Sequence, residues 1–232
     1  MVIETRETDD PVEAALLDAI GFSKKLKTVE GRVRRIVTRS GRGFRGKFPS
    51  LKLGRMVHWE SYLERDVIRI LEYDPTVLRY QEQPCVFEYY DAQGVFRRYF
   101  PDFLAERADK NSLIEAKPKC KLDMPDVREK FETVAIRMQE RKQHFQIFTD
   151  IEVRREPRFA NLCRIHDAVR SLNILDRSPL KDLPQNIRGP QRFGDLVQRL
   201  DGERNVYRHY LAGHLQIDVD QPLCDSTVVF VN

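Results

Sequence analysis

No stretch of the chain approaches the roughly 20 consecutive apolar residues that a membrane-spanning helix needs. Its first ten residues carry four acids and lack the basic, then apolar, pattern of a secretory signal. The four cysteines, Cys85, Cys120, Cys163 and Cys224, are far apart and form no CxxC pair. That excludes a cysteine-rich zinc site and a disulfide framework, and points to reduced thiols in a cytoplasm. Tryptophan occurs once, at Trp59. With 33% charged and 41% hydrophobic residues, the composition is that of a soluble globular protein. Its 232 residues suffice for a core domain plus a smaller one.

The formal net charge of +4 is modest but unevenly spread. From Lys24 to Arg55 there are 12 Lys/Arg against one acid, Glu30, with scattered glycines and Phe44 and Phe48. Basic residues with interleaved aromatics are a footprint of nucleic-acid backbone binding. Arg39, Arg42, Arg45 and Lys47 are the candidate DNA contacts there. Residues 1–55 are thus read as a loose acidic tail, a short amphipathic helix at 11–20 and a flexible basic arm.

The chemistry concentrates in Arg98-Tyr-Phe-Pro-Asp102-Phe-Leu-Ala and Ser112-Leu-Ile-Glu115-Ala-Lys117-Pro118. They read as two hairpin strands, 95–104 and 112–117, joined by a turn at 108–111. Side chains alternate along a strand, so Glu115 and Lys117 share one face while Ile114 and Ala116 face a core. Asp102 on the partner strand lies within reach of Glu115. Two carboxylates and a lysine two residues beyond the second suit a hard cation such as Mg²⁺, with Mn²⁺ able to substitute. Lys117 is placed to hold a phosphate oxygen or favour deprotonation of an attacking water, which suits metal-assisted phosphodiester hydrolysis. An amphipathic hairpin with a solvated Glu/Lys face is the plain alternative.

Around this pair the periodicity predicts a helix over 57–71, with Trp59, Leu63, Val67, Ile70 and Leu71 as its apolar stripe. Glu60 and Glu64 stack beside that stripe at i, i+4, a mildly unfavourable pairing that asks for a nearby cation. Arg65 and Asp66 fall on a solvated face, and Trp59 falls in the core. Strands are predicted over 77–80, 84–90 and 144–149, and a helix from Pro125 to about Gln143, buried through Val127, Phe131, Val134, Ala135 and Met138. Gln83 lies where it could support the site from a neighbouring strand. Lys119 and Lys121 are candidate phosphate contacts, and His58 and His144 read as surface or capping groups. Residues 56–155 make an α/β core, a mixed sheet flanked by helices.

The rest, 156–232, opens with a helical connector at 157–172 and a Pro-rich linker. Helices over 191–200 and 203–211 and strands over 215–219 and 227–231 follow, the plan of a small winged-helix-like domain. From Ser178 onward, six Lys/Arg face seven Asp/Glu. That balance favours protein contact over DNA contact.

The ordered runs His58-Trp-Glu-Ser-Tyr-Leu-Glu64-Arg-Asp, Glu72-Tyr-Asp-Pro, Gln81-Glu-Gln-Pro84, Phe100-Pro-Asp102-Phe-Leu, Ile114-Glu115-Ala-Lys117-Pro118 and Phe148-Thr-Asp150 resemble TnsA, the endonuclease subunit of heteromeric cut-and-paste transposases. The resemblance spans roughly residues 46–150. It implies a restriction-endonuclease-like PD…(D/E)xK core. It also implies Glu64, Asp102 and Glu115 as metal ligands and Glu64, Asp102, Glu115 and Lys117 as the catalytic set. The implied partners are transposon-end DNA, a DDE-type (TnsB-like) transposase and an AAA+ (TnsC-like) regulator bound by the C-terminal domain, in the bacterial cytoplasm at the nucleoid. The implied activity is Mg²⁺-dependent cleavage of the 5′ strands at transposon ends. A stand-alone restriction or repair nuclease, and a DNA-binding assembly subunit with a vestigial site, are the alternatives.

Overall fold

In a computed structural model the described residues are 44–170, 180 and 182–232. The acidic tail, the first expected helix, Arg39, Arg42 and, in the Pro-rich linker, residues 173–179 and 181 lie outside them.

The chain first forms a hairpin, β1 (Gly46–Ser50) and β2 (Arg55–Trp59), in antiparallel register from Gly46↔Trp59 to Ser50↔Arg55. This corrects two expectations. Residues 46–55 are part of the folded core rather than of an arm, with Phe48 buried. The first helix, α1, spans Tyr62–Tyr73, so Val57 and Trp59 belong to a strand. Apolar residues at 57 and 59 fit either period, and the pairing with β1 decides between them. Gly46 permits that pairing at its open end. A Cβ there would lie 2.3 Å from the Trp59 ring.

Helix α1 begins at Ser61, whose hydroxyl accepts the Glu64 N–H. Its C-terminus is held by the hairpin turn. Lys52 Nζ donates to the carbonyls of Leu71, Asp74 and Val77 at 2.8, 2.7 and 2.6 Å. Burial pushes this amine down to about 8, which leaves it charged at neutral pH, as a cation at a helix C-terminus should be. Lys52→Met is therefore expected to cost about 2 kcal/mol and to lower the melting temperature by about 4–8 °C. Lys47→Met on the exposed side of the same hairpin should change it by less than about 0.5 kcal/mol. Calorimetry of the two variants checks this.

The central sheet has four strands in the order β3 (Val77–Glu82), β6 (Phe103–Arg107), β7 (Asn111–Ala116) and β8 (Phe145–Phe148). β3–β6 and β6–β7 are antiparallel, and β7–β8 is parallel. The parallel step is made by a short α2 (Lys119–Leu122), which the sequence reading lacked, and by α3 (Pro125–Glu140), with proline at its first position. Phe131, Val134 and Met138 bury one face of α3 against Leu104 and Leu113, whereas Ala135 is exposed and not part of that stripe. α1 covers the other face, through Val67 and Leu71 against Phe103, Ala105 and Ile114.

The expected single strand over 95–104 is two strands. β4 (Phe87–Tyr90) and β5 (Phe96–Tyr99) form a separate ribbon, and the chain breaks at Phe100-Pro101-Asp102 before entering β6. Pro101 has no N–H to donate to a ladder, so the strand cannot run through it.

After β8 come a one-turn α4 (Asp150–Val153), closed by a Thr149–Glu152 capping box, and α5 (Arg158–Val169). Beyond the linker are β9 (Pro190–Arg192), α6 (Phe193–Arg199), α7 (Glu203–Leu211), β10 (Leu215–Gln216) and β11 (Val228–Val231). The strands make an antiparallel sheet in the order β10-β11-β9. These C-terminal elements share one buried cluster with α1 through Leu162, Ile165, Val206 and Tyr207, and Tyr210 donates to the Tyr73 carbonyl.

Candidate nuclease site

The register Phe103↔Ile114 between β6 and β7, continued by one step, sets Asp102 opposite Glu115. Directly opposed residues share a face, and here it is the face covered by α3. Glu115 is therefore only 6% exposed. This overturns the solvated-hairpin alternative, since a sheet covered on both faces leaves no wet side for it. A carboxylate taken out of water needs partners. Glu115 Oε2 accepts from the Tyr99 hydroxyl at 2.7 Å, and Oε1 lies 3.5 Å from Lys117 Nζ. Asp102 Oδ2 accepts the Ala116 N–H at 2.8 Å, and the Asp102 carbonyl accepts the Gln83 N–H at 2.7 Å.

Glu64 reaches the same end of the sheet from the first turn of α1. Its Oε2 accepts the Glu60 N–H at 2.8 Å. Glu60 precedes the helix instead of stacking on it, so the like-charge pair within a helix is not formed. Glu60 lies 3.5 Å from Arg45 and 3.4 Å from Gln83 Nε2. Buried Gln83, with φ 43°, thus touches both Glu60 and the Asp102 backbone.

Electrostatics joins the three carboxylates. Asp102 is pushed well above the usual carboxylate range, first by burial and then by the charges of Glu115 and Glu64. Glu64 is raised by burial, with Glu60 and Glu115 adding to the effect. Burial also raises Glu115, against the stabilising pull of Tyr99, Lys117 and Lys130. As they stand, the three favour holding protons over holding three negative charges. A divalent cation would relieve that repulsion, and all-oxygen donors suit Mg²⁺ or Mn²⁺. The compact cage expected from the sequence is not drawn closed. Among the described residues no three His, Cys, Asp or Glu side chains are gathered as a metal-holding group. Glu115 is held back by Tyr99 and Lys117, and Glu64 by its own helix cap. Mg²⁺ keeps several of its waters, so a ligand set of this kind need not close around it.

Tyr99 and Lys130 escaped the sequence reading. Lys130 Nζ lies 5.4 Å from the Tyr99 ring centre and 5.1 Å from that of Phe131, and Lys117 Nζ lies 5.5 Å from the latter. The available signal was Tyr99, an aromatic three residues before Asp102. Nothing in the sequence pointed to Lys130.

Other expectations are corrected. Asp66 is not solvated but 1% exposed, ion-paired to Arg65, Arg69 and Arg154. His58 is buried, 3.8 Å from Glu82, rather than a surface group, and His144 Nδ1 meets Ser112 Oγ at 2.9 Å. Trp59 is only partly buried, packed against the core edge. Of the candidate DNA contacts, Lys47 and Lys121 are exposed, Arg45 is half-buried, and Lys119 is ion-paired to Asp123.

Residues 74–150, 77 of the 232, match the family model described as TnsA-like endonuclease N terminal. The chain carries a TnsA-like endonuclease domain. Asp102, Glu115, Lys117 and Gln83 lie inside the matched segment of this TnsA-like domain, and Glu64 and Arg45 lie before it. No curated protein matches the chain. No helix among the described residues is long and apolar enough to cross a membrane.

Proposed function

We propose that this TnsA-like chain is the metal-dependent endonuclease subunit of a cut-and-paste transposase and cleaves the 5′ strands at transposon ends. The observation that carries the reading is the mutually repelling set of buried Glu115 and half-buried Asp102 and Glu64, two of them inside the segment that matches an endonuclease family. Asp102, Glu115 and Glu64 would hold Mg²⁺, or Mn²⁺ in its place. The bound cation would supply Lewis-acid stabilisation of the phosphorane-like transition state and a more acidic water. Tyr99 orients Glu115 by fixing one of its oxygens. Lys117 presents an ammonium to a non-bridging phosphate oxygen, and Gln83 steadies the Asp102 backbone. Arg45, Lys47, Lys119 and Lys121 would track the DNA backbone, with Arg39 and Arg42 extending that contact.

The C-terminal helices and three-stranded sheet are read as a winged-helix-like module whose balanced charge fits a protein. We assign it contact with an AAA+ regulator, while a DDE-type transposase makes the 3′ cuts. The domain division 1–55, 56–155 and 156–232 is part of the same proposal, as is residence at the bacterial nucleoid. The test is end-mapping of both strands of transposon-end DNA incubated with Mg²⁺, this chain and its cognate transposase. The reading expects 5′-strand cuts that vanish when this chain is omitted. Unchanged products without it would overturn the reading.

A further inference from the structure

A cavity of about 650 Å³ lies away from the carboxylates, at the other end of β6 and β7. Its apolar wall is Ile70 of α1, Phe148 of β8 and Val153 of α4. Its polar rim carries three cations, Arg107, Lys110 and Arg158. The two carboxylates there are already engaged. Asp74 accepts from Thr76 and lies 3.6 Å from Arg107, and Glu152 Oε2 closes the α4 capping box. Lys110 has no ion pair among the described residues. The Arg158 guanidinium has neither hydrogen bond nor ion pair among them, and its Nε is buried without an acceptor. An orphaned buried donor on a cation is costly unless something accepts from it. Burial, and then Lys110 and Arg107, hold the neighbouring His144 below its usual value, against Asp109.

We propose that this cavity binds a small phosphomonoester with a flat apolar body, its phosphate on Arg158 and Lys110 and its body against Phe148 and Val153. The forked guanidinium N–H groups match phosphate oxygens, and two cations suit a dianion. The volume is that of a small-molecule pocket.

Calorimetric titration of the full chain with AMP as the probe, and with inorganic phosphate and adenosine in separate arms, tests the assignment. AMP is expected to bind at least about tenfold more tightly than phosphate or adenosine, since both halves of the cavity contribute. Arg158→Gln and Lys110→Gln should each weaken AMP by about tenfold or more. Lys110 is exposed on a turn, so its variant decides the matter if Arg158→Gln fails to fold. AMP binding no tighter than phosphate, or unchanged in the folded variants, overturns the proposal. Displacement of AMP by a short DNA duplex also overturns it, by making the site a backbone-phosphate contact.

Discussion

Asp102→Asn is expected to abolish 5′-strand cleavage, by about a thousandfold or more, while leaving the protein folded. Asparagine keeps the shape and an oxygen that can accept the Ala116 N–H, the contact Asp102 Oδ2 makes at 2.8 Å. What it removes is the charge. With one carboxylate of three gone, the set loses the group whose proton affinity is raised first by burial and then by Glu115 and Glu64. Loss of a metal ligand forfeits several kcal/mol of transition-state stabilisation, and a thousandfold corresponds to about 4 kcal/mol. Under the proposed function, the 3′ cuts of a partner transposase should persist, so end-mapping separates a dead site from a failed assembly. A drop of less than about tenfold would mean that Asp102 does not act on the phosphate.

The largest expected effect on stability belongs to Asp66. Its carboxylate is 1% exposed, with Oδ1 on Arg69 at 2.6 Å and Arg65 at 3.0 Å, and Oδ2 on Arg154 at 2.9 Å. Asp66→Ala would leave three guanidiniums around an uncharged hole. Removing the buried partner of an ion cluster costs about 3–5 kcal/mol, here chiefly through Arg69, the most enclosed of the three arginines, since Arg65 and Arg154 are partly exposed to water. Arg69 can adapt least, since its Nε already lacks an acceptor. Arg154 follows α4, so this cluster ties the start of α1 to the segment after the sheet. Urea unfolding of Asp66→Ala should show a midpoint shift of that size with an unchanged slope. A shift below about 1 kcal/mol would contradict this account of the cluster.

Asp66 also marks the limit of what the sequence disclosed. On a helical wheel it falls beside Arg65, as a solvated residue would, and its decisive partner Arg154 is 88 residues away. The strands around Val77–Glu82 and Phe145–Phe148 and the helix from Pro125 were legible, because local period, proline placement and aromatic content agree there. The start of α1 was not, because residues 57–59 fit both periods until β1 pairs with them. The break at Pro101 was visible in principle, since proline interrupts a ladder, and it moves Asp102 off the strand without moving it from opposite Glu115.

Asp102, Glu115 and Lys117 were legible from spacing, and Glu64 from family resemblance. The burial of Glu115 was not. It depends on α3 covering that face of the sheet, and so do the contacts that Tyr99 and Lys130 bring. Tertiary packing turned an apparently wet carboxylate into a buried, perturbed one.

The most direct test of the central claim is Mn²⁺ binding to the full-length chain, followed by electron paramagnetic resonance, in wild type, Asp102→Asn and Glu115→Gln. The account predicts that wild type binds at least one ion and that each substitution weakens it by about tenfold or more. Equal binding by all three proteins would contradict it, and Asp102 and Glu115 would then not hold the metal ion.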